Sequence, residues 1–187
     1  MISIPARFED AFLRDWEQDH PFRLIGHKYF ENLEENLSNG IAPSFFGISG
    51  VGKSRAAAAI INTVKMVTNP NPKMSWLPTS ESFNKLMDYR DLHQSENYNY
   101  LWDRMKNDEL VVFDDIGTLR DSPRILEYFW IILDSRYADK KSTIFTGNIS
   151  VQPPITREQV LDKMSKWISP AFARRLDQFS SGYLVLI

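Results

Sequence analysis

Compact apolar runs alternate with amphipathic stretches through most of this chain. Residues 42–48 (APSFFGI) read as a short buried strand ended by a glycine-rich loop. Residues 53–67 (KSRAAAAIINTVKMV) follow with helical periodicity, and their four consecutive alanines let a helix approach a sheet closely. Asn69-Pro70-Asn71-Pro72 stops that helix. A second strand is predicted over 74–77. Thr79 or Ser80 then caps a helix running to about Tyr89, and another helix covers roughly 98–106. The run 110–113 (LVVF) is a strand that leads into two aspartates. Ser122-Pro123 suits a helix start, and that helix continues to about Tyr137 with Ile125, Leu126, Phe129, Ile132 and Leu133 on one face. Residues 142–146 (STIFT) and 183–187 (YLVLI) complete the strands.

Apolar strands separated by helices predict an α/β fold, a mostly parallel sheet covered on both faces. Ligands in such folds bind beyond the carboxyl ends of the strands. The glycine loop, the Asp114-Asp115 pair and Asn148 each follow a predicted strand, so the pattern gathers them at one site. No repeat, low-complexity tract or long linker interrupts the alternation, and the chain reads as one domain over 1–187.

Gly47-Ile48-Ser49-Gly50-Val51-Gly52-Lys53-Ser54 fits the phosphate-binding pattern G-x-x-x-x-G-K-[ST]. Gly47, Gly50 and Gly52 are expected to turn with positive φ and to aim backbone N–H groups, with those of Ser49 and Val51, at phosphate oxygens. The helix that follows, through Arg55, adds its positive dipole end. Lys53 is expected to reach the β- and γ-phosphates, and the Ser54 hydroxyl to bind Mg²⁺. The bland alternative is a flexible glycine turn, which the flanking strand and helix disfavour. In LVVFDDIG (110–117), Asp114 is the expected Mg²⁺ partner, and Asp115 would orient or deprotonate a water. A solvated acidic turn is the alternative. Asn148, after the strand STIFT, reads as a neutral sensor of the γ-phosphate or its water rather than a plain Gly-Asn turn. In SPAFARRLDQF (169–179), Arg174 and Arg175 project about 100° apart on a helix. They read as an arginine donated to a neighbour's nucleotide, a solvated pair, or a contact to DNA phosphate.

Composition narrows the rest. With 43% hydrophobic and 25% charged residues the chain is an ordinary globular protein, and no apolar run approaches the roughly 20 residues that span a bilayer. The start, MISIPARFED, has no signal-peptide pattern, so the expectation is a cytoplasmic protein without a membrane partner. Cysteine is absent, which excludes disulfides and thiol chemistry, and His20, His27 and His93 lack metal-ligand spacing. A net charge of −2 argues against a strongly basic nucleic-acid coat while leaving room for a local strip. Trp76, Trp102, Trp130 and Trp167 read as core residues more readily than as base-stacking platforms, and Asp139-Lys140-Lys141 as a solvated turn.

Taken in order, these stretches resemble the AAA+ ATPases of the DnaC/DnaI helicase-loader type, with the IstB transposition ATPases close by. IPARFEDA (4–11) is similar to the segment opening such domains, GISGVGKS to their Walker A and LVVFDDIG to their Walker B. The stretch 134–150 (DSRYADKKSTIFTGNIS) is the most specific. The resemblance covers essentially the whole chain. It implies a P-loop NTPase (AAA+) three-layer sandwich with a five-stranded sheet of order 5-1-4-3-2. It also implies ATP and Mg²⁺ as ligands, Asp115 as the hydrolysis residue and Asn148 as first sensor. The finger best matches Arg175, before Leu176, with Arg174 second. Pro5-Ala6-Arg7-Phe8 would lie near the adenine by the same resemblance. The chain opens almost at the core, so no separate helicase-gripping domain and no C-terminal lid are expected. The segment 151–169, longer than the family pattern, reads as a partner-binding or DNA-facing insertion with Lys163, Lys166 and Trp167.

The resulting expectation is an ATP-hydrolysing protein of DNA replication. It forms a homo-oligomer through its arginine finger and acts on DNA, with single strands favoured, and on a replicative helicase or another DNA-bound protein. Rival readings are an IstB-like ATP-dependent adaptor of transposition, a superfamily 3-like DNA helicase, and a small-molecule P-loop kinase.

Overall fold

Phe45 and Phe46 are neighbours in sequence, both fully buried, and they belong to two separate cores. An extended backbone sends successive side chains to opposite faces, so a sheet covered on both sides divides its strands in this way. The computed structural model, which describes residues 4–149 and 156–187, contains one five-stranded parallel sheet. Its strands are β1 (Ser44–Gly47), β2 (Met74–Pro78), β3 (Leu110–Asp114), β4 (Ser142–Asn148) and β5 (Leu184–Leu186). They lie in the order β5-β1-β4-β3-β2, the order implied by the family resemblance.

The helices among the described residues are α1 (Pro21–Glu31), α2 (Leu33–Ser38), α3 (Lys53–Val67), α4 (Thr79–Asp91), α5 (Ser95–Asn107), α6 (Pro123–Ala138), α7 (Arg157–Trp167) and α8 (Pro170–Ser180). One core joins Phe45, Trp76, Val112 and Ile144 to the alanine face of α3 and to Phe22 and Tyr29 of α1. The other joins Phe46, Val111, Phe113 and Phe145 to α4 and to α6 through α8. The connection from β1 to β2 runs one way across the sheet and carries α3. The connections from β2 to β5 step back the other way and carry α4 to α8. Right-handed crossovers require the helices to change face when the direction reverses.

The second core is largely aromatic. The Phe129 ring lies 5.5 Å from Phe113, 5.7 Å from Phe172 and 5.8 Å from Phe83 between centroids. Burying each such side chain contributes about 1.5–3 kcal/mol. This block of rings fixes α6 and α8 against the strands whose carboxyl ends carry the acids and Asn148.

Most predicted elements are present with ends moved by a residue or two. Ser122 and Ser169 cap α6 and α8, accepting from the N–H groups of Ile125 and Phe172. Thr79 does not cap α4. It is the first helical residue, and its hydroxyl donates instead to the Asp114 carbonyl at 2.7 Å. The segment 151–169 begins outside the described residues, and its remainder forms α7. That helix buries Val160 and Met164, with Trp167 packed against the same core rather than presented outward.

Candidate functional site

The loop after β1 owes its shape to Gly50 and Gly52, which have φ of +87° and +93°. Side chains other than glycine rarely adopt these angles, and at Gly50 a Cβ would meet nothing within 4 Å, so conformation alone requires glycine there. Gly47 differs from the expectation. It is the last residue of β1 and does not have positive φ. A Cβ there would stand 1.6 Å from the carbonyl oxygen of Ile187, so glycine is needed to let the end of the chain run alongside. The Ile48 N–H donates to that same oxygen at 3.1 Å.

The loop and the N-terminus of α3 form one wall of an open cavity of about 410 Å³, through Ser49, Gly50, Gly52, Lys53, Ser54 and Arg55. Arg7 and Phe8 form a second wall, with the Arg7 guanidinium 4.6 Å from the Phe8 ring centre. Asp115, Thr146, Gly147 and Asn148 close the far side. Gly47 and Val51 do not line the cavity, nor does Asp114, which borders an adjacent opening beside the start of α4.

Strand register brings the polar atoms together. β3 and β4 pair Phe113 with Phe145, and β1 and β4 pair Gly47 with Asn148, which levels their carboxyl ends. Asp114 Oδ1 accepts from the Ser54 hydroxyl at 2.7 Å and from the Thr146 hydroxyl at 2.6 Å. The Thr146 oxygen in turn accepts from the Asp115 N–H at 2.8 Å. Asn148 Nδ2 stands 3.5 Å from Asp115 Oδ1, the outer limit of a hydrogen bond. Thr146 is therefore a member of the site that the sequence reading did not single out.

Lys53 is buried and donates from Nζ to the Ile48 carbonyl at 2.6 Å. Burial lowers its pKa, opposed by the charges of Asp115 and Asp114. Burial raises the pKa of Asp115, Asp114 adds to the effect, and the Gly117 N–H and Lys53 oppose it. Both groups thus carry charge that the protein solvates poorly, as expected where ligand charge completes the balance. A loop turned by two positive-φ glycines, a helix N-terminus and a lysine suit a polyphosphate. A hydroxyl and a carboxylate oxygen 2.7 Å apart suit a small hard cation shared with that phosphate. Among the described residues no protein-only cluster of three metal-ligating side chains exists, so such a cation would depend on the phosphate.

Arg174 and Arg175 are elsewhere. Both line a separate cavity of about 380 Å³ between α6 and α8. Arg175 donates from Nε and Nη2 to Asp134 Oδ1, both at 3.1 Å, and from Nη1 to Gln178 at 2.9 Å. Its guanidinium also lies 3.8 Å from the centre of the Tyr137 ring. Among the described residues Arg174 has no hydrogen bond or ion pair. No described helix is long and apolar enough to cross a membrane.

No protein-family profile and no curated protein matches the sequence. Solved structures do match in fold. The DnaC helicase loader aligns with 97% of this chain and 99% of its own, at 22% identity and a TM-score of 0.82. DnaI aligns with 100% of this chain and 95% of its own, at 20% identity and a TM-score of 0.68. A replication initiator DnaA bound to AMPPCP and single-stranded DNA aligns with 98% of this chain at 18% identity and a TM-score of 0.70. The match spans 50% of that longer protein. With its motif order, its strand order and these alignments, the chain has the fold of a DnaC/DnaI-like AAA+ ATPase core.

Proposed function

We propose that this protein is an ATPase that binds ATP with Mg²⁺, assembles head to tail with copies of itself, and acts on DNA or a DNA-bound protein in replication. The observation that carries the reading is the bond between Ser54 and Asp114, 60 positions apart in sequence, which joins the phosphate loop to the acid pair. Loop N–H groups and Lys53 would hold the phosphates, with Ser54 and Asp114 on the cation. Mg²⁺, when bound, supplies charge neutralisation at the phosphate oxygens. Asp115 would orient a water and accept its proton as the water oxygen bonds the γ-phosphorus and the bond to the bridging oxygen breaks, giving ADP and phosphate. Asn148 would hold the same water or a phosphate oxygen.

Among the described residues the arginines that line the cavity are Arg7, beside Phe8, and Arg55, in the first turn of α3, while the α8 arginines line a different cavity. A neighbouring copy would supply Arg175, or Arg174, to the transition state. Arg175 must first leave Asp134, Gln178 and the Tyr137 ring, and of these the pair with Asp134, a partner more than half exposed, is worth about 1 kcal/mol or less. Phosphate charge in a closed interface offers a stronger partner than that carboxylate. DNA or a helicase as the object of the work rests on the likeness to loaders and to an initiator that binds single-stranded DNA.

The test is ATP hydrolysis by the purified protein across protein concentrations, with and without single-stranded DNA, using Lys53→Ala as the blank. The expected result is a rate per subunit that rises with concentration and with DNA, and at least a tenfold loss in the blank, since a charged hydrogen bond is worth about 1.5–3 kcal/mol. Tight ATP binding with no turnover under any condition would overturn the hydrolytic part and leave an ATP-dependent adaptor. A rate independent of concentration would overturn the shared site.

A further inference from the structure

We propose that Trp167 is a positioning residue for Asp115, acting through Gly117. The inference rests on the reading of Asp115 as the residue that orients the attacking water.

Asp115 has φ 57° and ψ 66°, a left-handed conformation uncommon for any residue but glycine. Something must hold the turn there, and the chain does so from several sides. The Asp115 N–H donates to Thr146, and the Gly117 N–H reaches the Asp115 carboxylate. Ile116 and Leu119 are buried beneath the short helical turn Ile116–Asp121 that follows. The last side is covered by the indole of Trp167. A Cβ built on Gly117 would stand 2.7 Å from Trp167 Cη2, 3.3 Å from Cζ2, and 3.2 Å from Asp115 Oδ1. One glycine therefore lies between the outer edge of the indole and the carboxylate, with no room for a methyl group.

The indole has a firm seat. Trp167 is the last residue of α7, which is capped by Thr156 and fixed to the core by Val160 and Met164, both fully buried. The contact uses the six-membered ring at its far rim, and a phenylalanine on the same backbone is too short to reach it. Removing that rim frees the Gly117 backbone to move away from the carboxylate it donates to. Nucleotide binding depends on the loop after β1 and should not change. Orientation of the water should.

The experiment is a cycle of Trp167→Phe, Gly117→Ala and the double variant, with Asp115→Asn as reference. Each is assayed for ATP hydrolysis at saturating protein concentration and for affinity toward a fluorescent ATP analogue. The expected result is a fall in kcat of about tenfold in each single variant, with nucleotide affinity within about twofold of wild type. In the double variant the new methyl group occupies space vacated by the indole rim while its 3.2 Å contact with Asp115 Oδ1 remains, so activity should recover in part, to above that of either single variant. A tryptophan that only stabilises α7 would give losses that multiply in the double variant, which would overturn the proposal. So would wild-type kcat in Trp167→Phe while Asp115→Asn is inactive, an outcome that leaves the ATPase reading standing. Full activity in Asp115→Asn would remove the role of Asp115 itself, and the positioning proposal with it. Thermal unfolding of each variant shows which proteins are folded. Gly117→Ala tests the same contact from the backbone side if Trp167→Phe is poorly folded.

Discussion

The hydroxyl of Thr146 donates to Asp114 Oδ1 and accepts from the Asp115 backbone, so one oxygen couples both acids to β4. Valine has the same shape and no hydroxyl. Thr146→Val would leave the Asp115 N–H without its partner, at a cost of about 1–3 kcal/mol. It would also remove one of the two hydroxyls that hold the Asp114 carboxylate, the proposed cation ligand. The expected outcome is a folded protein with a modestly lower melting temperature and a fall in ATP turnover of at least tenfold, larger than its loss of ATP affinity. Equilibrium unfolding and steady-state hydrolysis measure the two effects separately. The sequence alone could not point to Thr146, which sits in an apolar strand where threonine is an ordinary choice. Its role depends on the register that sets Phe113 against Phe145, a fact about two strands separated by a helix. The opposite holds for Lys53, Ser54 and Asp114. Their residue types and spacing form a recognisable pattern in one short stretch each, so reading along the chain singles them out as candidates. Gly47 belongs to neither class: the motif made it a loop residue, while the close approach of Ile187 is what requires glycine there.

Elements were legible where an apolar run ended in an unambiguous stop. The helix at Lys53–Val67 lies between a glycine loop and Asn-Pro-Asn-Pro, and its predicted and observed ends coincide. α1 escaped notice because Gly26 interrupts its apolar face. That glycine lies against Leu13, whose Cδ1 would be 2.5 Å from an added Cβ, a tertiary cause invisible to periodicity. α7 has a readable start, the Thr156/Gln159 capping box, but lies inside the segment 151–169 that reads as an insertion. The join between α6 and β4 likewise hides its reason in three dimensions. Arg136 is fully buried and donates to Thr143 Oγ1 at 2.9 Å and to the carbonyls of Met105, Asp108 and Ser142 at 3.1, 2.8 and 2.5 Å. Burial pushes its pKa down to about 9, against the pull of Asp108, so it stays protonated at neutral pH. One side chain thus joins the end of α5 to the amino ends of β3 and β4, at the end of the sheet away from the glycine loop. Arg136→Met would fill much of the space but strand these carbonyls, and it should destabilise the fold by about 3–5 kcal/mol in urea unfolding. Nucleotide affinity of the remaining folded protein should be unchanged, because no donor in the loop is touched.

For the whole molecule, the decisive separation is between the cavity at the glycine loop and the α8 arginines, which line different cavities of the same chain. If the proposed site needs both halves, it is complete only between copies, and a head-to-tail contact of this type gives rings or filaments rather than a closed pair. The two halves can then be damaged independently. Lys53→Ala spoils the cavity and leaves α8 intact, while Arg175→Ala does the reverse. Each alone should hydrolyse ATP at less than about a tenth of the wild-type rate, given the size of arginine-finger effects. Mixed in equal amounts, a cavity from an Arg175→Ala subunit meets an arginine from a Lys53→Ala neighbour about one time in four, if contacts form at random. Activity should therefore reappear at about a quarter of the wild-type rate per subunit, and vanish on dilution below the concentration at which the copies associate. A mixture no more active than its parts, formed from proteins that co-assemble by light scattering, would mean that α8 does not complete a neighbour's site. The arginine pair would then be either solvated or a contact to DNA phosphate, and only the latter would give a DNA affinity that falls steeply as salt is raised.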